Sequence, residues 1–286
     1  MRLSNDEQVT PPVDRPGASA LPGPALAGRA GLAGRAADRA IAVRLTEVSK
    51  AYGAGLSRLL ALDAVSLTVA DGEFVCIIGA SGCGKSTLLN LAAGLDKPTS
   101  GQVDTGGRRV GLMFQEPALF PWLTAGRNVE LALRARGVPR SQRPAMTAEL
   151  LDTVRLGGFG DKRPHELSGG MRQRVAMARA LALDADVLLM DEPFGALDAM
   201  TRDLLHDELE RICAERTLTV LFVTHNVREA ARLGDRVILL SSRPGRVIEE
   251  YTLPRQGQRR IDSPEVSEVA ARLTDRLREE VGRHGH

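Results

Sequence analysis

The sequence predicts an α/β fold with a largely parallel sheet, and three observations carry that expectation. Short apolar runs alternate with helical patterns through most of the 286 residues. One of them, EFVCIIG at 73–79, is apolar almost throughout, as in a strand buried on both faces. A glycine-rich stretch, GASGCGKSTLLNLAAG at 79–94, then joins that strand to a helical pattern. Alternating strands and helices imply parallel strands covered by helices.

The elements follow in order. Residues 1–40 are rich in Ala, Gly and Pro, and LAGRA occurs twice, at 26–30 and 32–36. Glycines this frequent favour neither helix nor strand, so a disordered tail is expected. Its Arg29, Arg35 and Arg39 either touch an anionic surface or are simply solvated. Order begins near Ile41. IAVRLTEV alternates as a strand, with AVSLTV at 64–69 as its antiparallel neighbour. After the glycine loop the helix KSTLLNLAAG runs until Gly94 can end it. VGLMF (110–114), VLLM (187–190), TVLFVT (219–224) and RVILLS (236–241) are further short strands. Helices are expected around 126–136, 145–155, 170–183, 201–215 and 226–233. A last helix is expected at 264–281, capped by Ser263, with Pro264 in its first turn. Its apolar stripe would be Val266, Val269, Leu273, Leu277 and Val281.

Composition narrows the function classes. Hydrophobic residues make up 43%, enough for a sizeable core, and 38 basic against 36 acidic residues leave a net charge of +2. That balance argues against a nucleic-acid-coating protein, so no nucleic-acid partner is expected. No apolar run approaches the roughly 20 residues of a membrane span. The start, MRLSNDEQVT, lacks the basic-then-apolar order of a secretory signal, and a cytosolic chain is expected. Cys76, Cys83 and Cys213 are odd in number, lack metal-ligand spacing and suit a reducing compartment.

Residues 79–86 fit G-x-x-x-x-G-K-S/T. Glycines let a backbone wrap a phosphate so that successive N–H groups point inward, and the helix that follows adds partial positive charge. The cradle would be Gly79, Ala80, Ser81, Gly82, Cys83 and Gly84. Lys85 would reach the terminal phosphates, Ser86 would ligate Mg²⁺, and Thr87 completes the nucleotide-binding set. A glycine-rich turn with a surface lysine is the alternative, disfavoured by the strand before and the helix after. Cys83, beside a helix N-terminus and Lys85, is expected to be an acidic, alkylatable thiol; a small filler is the alternative, and both can hold together. Further on, VLLMDE ends a buried strand in two carboxylates. Asp191 suits Mg²⁺ held through water, and Glu192 suits activation of the attacking water. Asn226 and Glu229 have the spacing of a capping box.

Between these lies ELSGGMRQRVAMARAL at 166–181, where Ser168, Gly169 and Gly170 open an amphipathic helix. Ser168 reads either as an ordinary N-cap or as part of a second anion-ready helix terminus. With its flanks, this stretch resembles the signature of ABC-type ATPases. The resemblance covers about 41–250 and implies a P-loop NTPase core, an antiparallel β subdomain and a helical subdomain at about 116–170. Residues 251–286 would be a C-terminal extension with a helix. It further implies that ATP binds between two copies packed head to tail, the lysine loop of one facing Ser168, Gly169 and Gly170 of the other. By the same resemblance Tyr52 stacks on adenine, or else merely packs in a loop. Gln115 contacts Mg²⁺ and senses the γ-phosphate, Leu197 and Asp198 form the loop that crosses the dimer interface, and His225 is the switch histidine at the γ-phosphate. Met171 departs from the glutamine that many relatives carry.

Residues 116–129, EPALFPWLTAGRNV, place Leu119, Phe120 and Trp122 beside two prolines. The resemblance implies that this segment borders the groove for a short helix of a membrane permease subunit; packing within the helical subdomain is the alternative. The segments FQEPALFPWLT, DEPFGALDAMTRDLLHDEL and VTHNVREAARLGDRVILLSSRPGRV, with a short C-terminus, look like ATPase subunits of importers for nitrate, sulfonates, taurine and similar small oxyanions or organics. The aliphatic sulfonate type looks nearest. These likenesses imply ATP and Mg²⁺ as cofactors, permease partners, indirect contact with a solute-binding protein, and a place on the cytoplasmic face of the membrane. A soluble ABC ATPase without transport is the rival expectation.

Overall fold

A computed structural model describes residues 40–53, 57–253 and 259–284. The expectation of a disordered tail falls almost wholly on residues 1–39, which lie outside the described residues.

A three-stranded antiparallel sheet has the order β2-β1-β4, formed by β1 (Ile41–Tyr52), β2 (Leu59–Ala70) and β4 (Ser100–Asp104). The expected pairing is present: Val43 faces Val69, Leu45 faces Leu67 and Val48 faces Val65. The second sheet has six strands, in the order β5-β6-β7-β3-β8-β9. These are β3 (Phe74–Gly79), β5 (Val110–Met113), β6 (Val187–Asp191), β7 (Thr219–Val223), β8 (Arg236–Leu240) and β9 (Val247–Thr252). The first five are parallel and β9 closes the edge antiparallel to β8. Every residue of β3, β6 and β7 is buried, which explains their unbroken apolar sequences.

Among the described residues, seven α-helices accompany these sheets: α1 (Lys85–Ala92), α2 (Ala125–Ala135), α3 (Arg143–Thr153), α4 (Gly169–Ala182), α5 (Ala199–Arg216), α6 (Val227–Leu233) and α7 (Pro264–His284). One apolar layer packs Leu88, Leu89 and Leu91 of α1 between the two sheets. The other joins the opposite face of the large sheet, through Phe74, Met190 and Phe222, to α2, α4, α5 and α6. There α2 and α3 pack on α4.

Three features depart from the sequence expectation. Strand β4, SGQVD, is mostly exposed and polar, so no alternation announces it. It exists because β1 offers a free edge, with Leu45 opposite Val103. Strand β9 alternates half-buried and exposed residues as an edge strand does, a pattern present in the sequence but not assigned. In α7 the apolar stripe runs differently at its end. Ser263 caps the helix through Val266 N, and Val266, Ala270 and Leu273 are buried as a helical face requires. The helix phase then carries the stripe to Glu280, 5% exposed, while Val281 is 47% exposed. Glu280 Oε1 accepts from Ser242 N at 3.1 Å, which compensates its burial.

Candidate nucleotide site

Parallel strands place their C-terminal loops along one rim of the sheet, and the predicted residues gather there. The glycine loop follows β3, Gln115 follows β5, Asp191 and Glu192 end β6, and His225 follows β7. Gly84 has φ of +106°, and a Cβ there would meet Ala61 O at 2.8 Å and Leu62 Cδ2 at 2.7 Å, so only glycine fits before α1. Lys85 is buried, and its ammonium donates to Gly79 O at 2.9 Å and Ala80 O at 3.0 Å. The lysine charge is thus held over the loop that would enclose a phosphate.

Cys83 corrects one expectation. Its side chain is 1% exposed and joins the apolar layer around α1. Burial pushes the thiol pKa up, outweighing the opposing effect of Lys85. It is the small filler, not the acidic thiol, and only its backbone lies in the loop.

Asp191 is buried at the end of β6, and burial raises its carboxyl pKa while the Ser86 hydroxyl that bonds to it and Lys85 oppose the rise. Glu192 has a left-handed φ of 46°, unusual for a side chain with a Cβ. Its N–H donates to Val223 O at 2.9 Å, across to β7. Glu192 Oε2 lies 3.0 Å from His225 Nδ1, and Gln115 Nε2 donates to the same oxygen at 3.4 Å. Three residues distant in sequence therefore converge beside the glycine loop.

Ser168 caps α4 by accepting from Met171 N at 3.2 Å, and Asp198 caps α5 by accepting from Thr201 N at 2.9 Å. That backbone bond holds the Asp198 carboxyl below its ordinary pKa. Gly170 packs on the 196–197 loop, since a Cβ there would come within 3.1 Å of Leu197 Cδ2. Ser168 and Gly169 remain exposed at the surface. Tyr52 is exposed at the end of β1, its hydroxyl 3.3 Å from Asp96 Oδ2 and its ring under Lys50 Nζ at 5.0 Å. Asn226 caps α6 as expected, but Glu229 does not return to it. Its carboxylate accepts instead from Thr224 Oγ1 at 2.6 Å, so the capping box is incomplete.

Sequence reasoning missed the residues that pin the segment after Gln115. Gln173 Nε2 donates to Gln115 O at 3.3 Å, and Arg179 donates to Ala118 O at 2.7 Å and Pro117 O at 2.9 Å. Asn128, fully buried, accepts from Phe120 N at 2.8 Å and donates to Thr124 O at 2.9 Å. Polar residues on the buried side of α2 and α4 were the available signal. Arg243, also missed, donates to Gly82 O at 3.1 Å. Phe120 and Trp122 are exposed, with ring centroids 5.5 Å apart.

Known proteins place this arrangement. The family model described as ABC transporter matches residues 62–195. The chain is 42% identical over 248 residues to "Uncharacterized ABC transporter ATP-binding protein MJ0412" of Methanocaldococcus jannaschii, covering 84% of this chain and 93% of that one. It is 44% identical over 222 residues to the nitrate import ATP-binding protein NrtD of Synechocystis, covering 75% and 84%. It is 44% identical over 230 residues to the bicarbonate transport ATP-binding protein CmpC of Synechococcus elongatus, covering 76% of this chain and 35% of that one. Among solved structures, the dimeric post-hydrolysis state of the ATP-binding cassette MJ0796 bound to ADP and Pi superposes with a TM-score of 0.69 at 37% identity, covering 75% of this chain and 100% of that one. With the glycine loop, the carboxylates and the capped signature helix on one scaffold, this chain belongs to the ABC transporter family as an ATP-binding ATPase domain.

Proposed function

We propose that this chain is the ATP-hydrolysing subunit of an importer for a small anion, working as a head-to-tail dimer docked on membrane permease subunits. The observation that carries the reading is the meeting of Glu192, His225 and Gln115 at the rim beside Lys85. Glu192 orients the attacking water and accepts its proton. The loop N–H groups and Lys85 stabilise charge on the phosphates as the terminal one leaves ADP. His225 contacts the γ-phosphate. The second copy's Ser168, Gly169 and Gly170 close the site with a helix N-terminus. Tyr52 supplies a ring for adenine.

The residues that would hold Mg²⁺ are Ser86 through its hydroxyl, Gln115 through its amide oxygen and Asp191 through a water. All are hard oxygens, the donor type that suits Mg²⁺. When bound it neutralises phosphate charge.

Phe120 and Trp122 form the exposed anchor for a permease helix. No described helix is long and apolar enough to cross a membrane, so attachment would run through that contact, on the cytoplasmic face. A solute-binding protein would deliver the solute to the permease. Relatives named for nitrate and bicarbonate support a small oxyanion. Aliphatic sulfonates remain a candidate solute on the likeness of the four segments alone, with taurine behind them.

The test reconstitutes the chain with its permeases and solute-binding protein in vesicles and screens nitrate, bicarbonate, sulfonates and taurine. One of these solutes should stimulate hydrolysis and enter the vesicle. Hydrolysis that is indifferent to every anion, by a chain that never sediments with permease-containing membranes, would favour the non-transport ATPase.

A further inference from the structure

Glu229 carries a carboxylate that the hydrolytic chemistry does not use, yet it is 5% exposed. Its Oε2 accepts from the Thr224 hydroxyl at 2.6 Å, and Thr224 Oγ1 accepts from Asn226 N at 2.9 Å. His225 lies between these two residues, so its backbone is held from both sides. The other oxygen, Oε1, pairs with Arg202 Nε at 3.5 Å and with His206 Nε2 at 3.7 Å. Arg202 Nη2 then donates to Leu197 O at 2.8 Å, the carbonyl immediately before Asp198. A polar chain therefore runs from the His225 loop through Thr224, Glu229 and Arg202 to the Leu197–Asp198 loop, its Glu229–Arg202 link being an ion pair at 3.5 Å and the others hydrogen bonds.

The chemistry argues for more than a strut. A buried ion pair is a costly way to gain stability, because desolvation consumes much of the attraction, and apolar packing serves as well. What a charge pair with a hydrogen bond at each outer end adds is register between the groups those bonds hold. Burial pushes the Glu229 carboxyl pKa up, but His206, the Thr224 hydroxyl and the charge of Arg202 outweigh it and hold it below its ordinary value. Arg232, also buried, pairs with Asp203 at 3.3 Å, and its Nη1 lies 3.2 Å from His206 Nδ1. The cluster is thus fixed to both α5 and α6.

We propose that Glu229 and Arg202 are positioning residues that lock the His225 loop to the Leu197–Asp198 loop, coupling one nucleotide site of the dimer to the other. His225 serves the site of its own subunit, and the Leu197–Asp198 loop lies at the interface with the second copy's site; this rests on the head-to-tail ATPase reading. A loop displaced at one site moves its neighbour through this chain of polar contacts, 2.6 to 3.5 Å long.

The test measures steady-state hydrolysis of the full chain against ATP concentration, with nucleotide affinity and thermal unfolding recorded in parallel. The wild type should hydrolyse ATP with a Hill coefficient above one. Glu229→Gln and Arg202→Met should each lower kcat about tenfold and bring the Hill coefficient to one, with nucleotide affinity unchanged. The double variant should be no slower than the slower single variant, because both break the same chain. Arg202→Lys, which keeps the charge, should recover part of the loss. If Glu229→Gln does not fold, Thr224→Val removes only the first link and should show the same loss of cooperativity. Reductions that multiply in the double variant, or a Hill coefficient that stays at the wild-type value while kcat falls, overturn the coupling alone. A wild type without ATPase activity overturns the functional reading and the coupling with it.

Discussion

Glu192 Oε2 and His225 Nδ1 stand 3.0 Å apart although 33 residues separate them in the chain. They meet because β6 and β7 are adjacent parallel strands, with Asp191 opposite Val223, so both strands deliver their ends to one point. The carboxylate is thereby aimed at the rim where the lysine loop begins, and a neighbouring ring holds it there.

Glu192→Gln keeps the shape and removes the base. Turnover should fall at least about 100-fold while ATP affinity is retained. An ATP-dependent dimer should accumulate on size-exclusion chromatography. Near-wild-type hydrolysis would remove Glu192 from its role.

Lysine-loop and signature lesions should complement in trans. A Lys85→Ala subunit keeps its signature, and a Ser168→Arg subunit keeps its loop. In a mixed dimer one composite site is intact and the other carries both lesions. Nucleotide trapping should therefore reappear on mixing, at up to one nucleotide per mixed dimer. Mixtures that trap no more than either variant alone would contradict head-to-tail packing.

The thiols should react in the order set by burial, not by nearby charge. Cys213 is partly exposed, whereas Cys76 and Cys83 are buried. Burial also raises the pKa of both buried thiols, so little thiolate is present at neutral pH. Timed maleimide labelling of the native chain, read by peptide mass spectrometry, should modify Cys213 first. Rapid labelling of Cys83 would mean that the glycine loop opens in solution.

Trp122 is the sole tryptophan and is 68% exposed, so its fluorescence reports on docking. The isolated subunit should emit as a solvated indole, and permease-containing vesicles should shift the emission to the blue. Trp122→Ala should weaken binding to those vesicles by about 2 kcal/mol, the usual loss for a buried aromatic anchor. Emission that does not move on docking would place the permease elsewhere.

What the sequence determined by itself is local. The spacing G-x-x-x-x-G-K-S at a strand–helix junction, the apolar runs of β3, β6 and β7, and the caps Ser168, Ser263 and Asn226 all depend on neighbours a few residues away. Tertiary structure decided what depends on strand order and burial. The order β5-β6-β7-β3 is not written in any one segment, yet it brings Gln115, 77 residues distant, to Glu192. Cys83 has a cation beside it in sequence, but the apolar packing around α1 removes water from the thiol, and desolvation outweighs the charge. Glu229 has the spacing to cap its own helix, but Thr224, Arg202 and His206 surround it in the fold, and a buried carboxylate turns to the partners that compensate its desolvation.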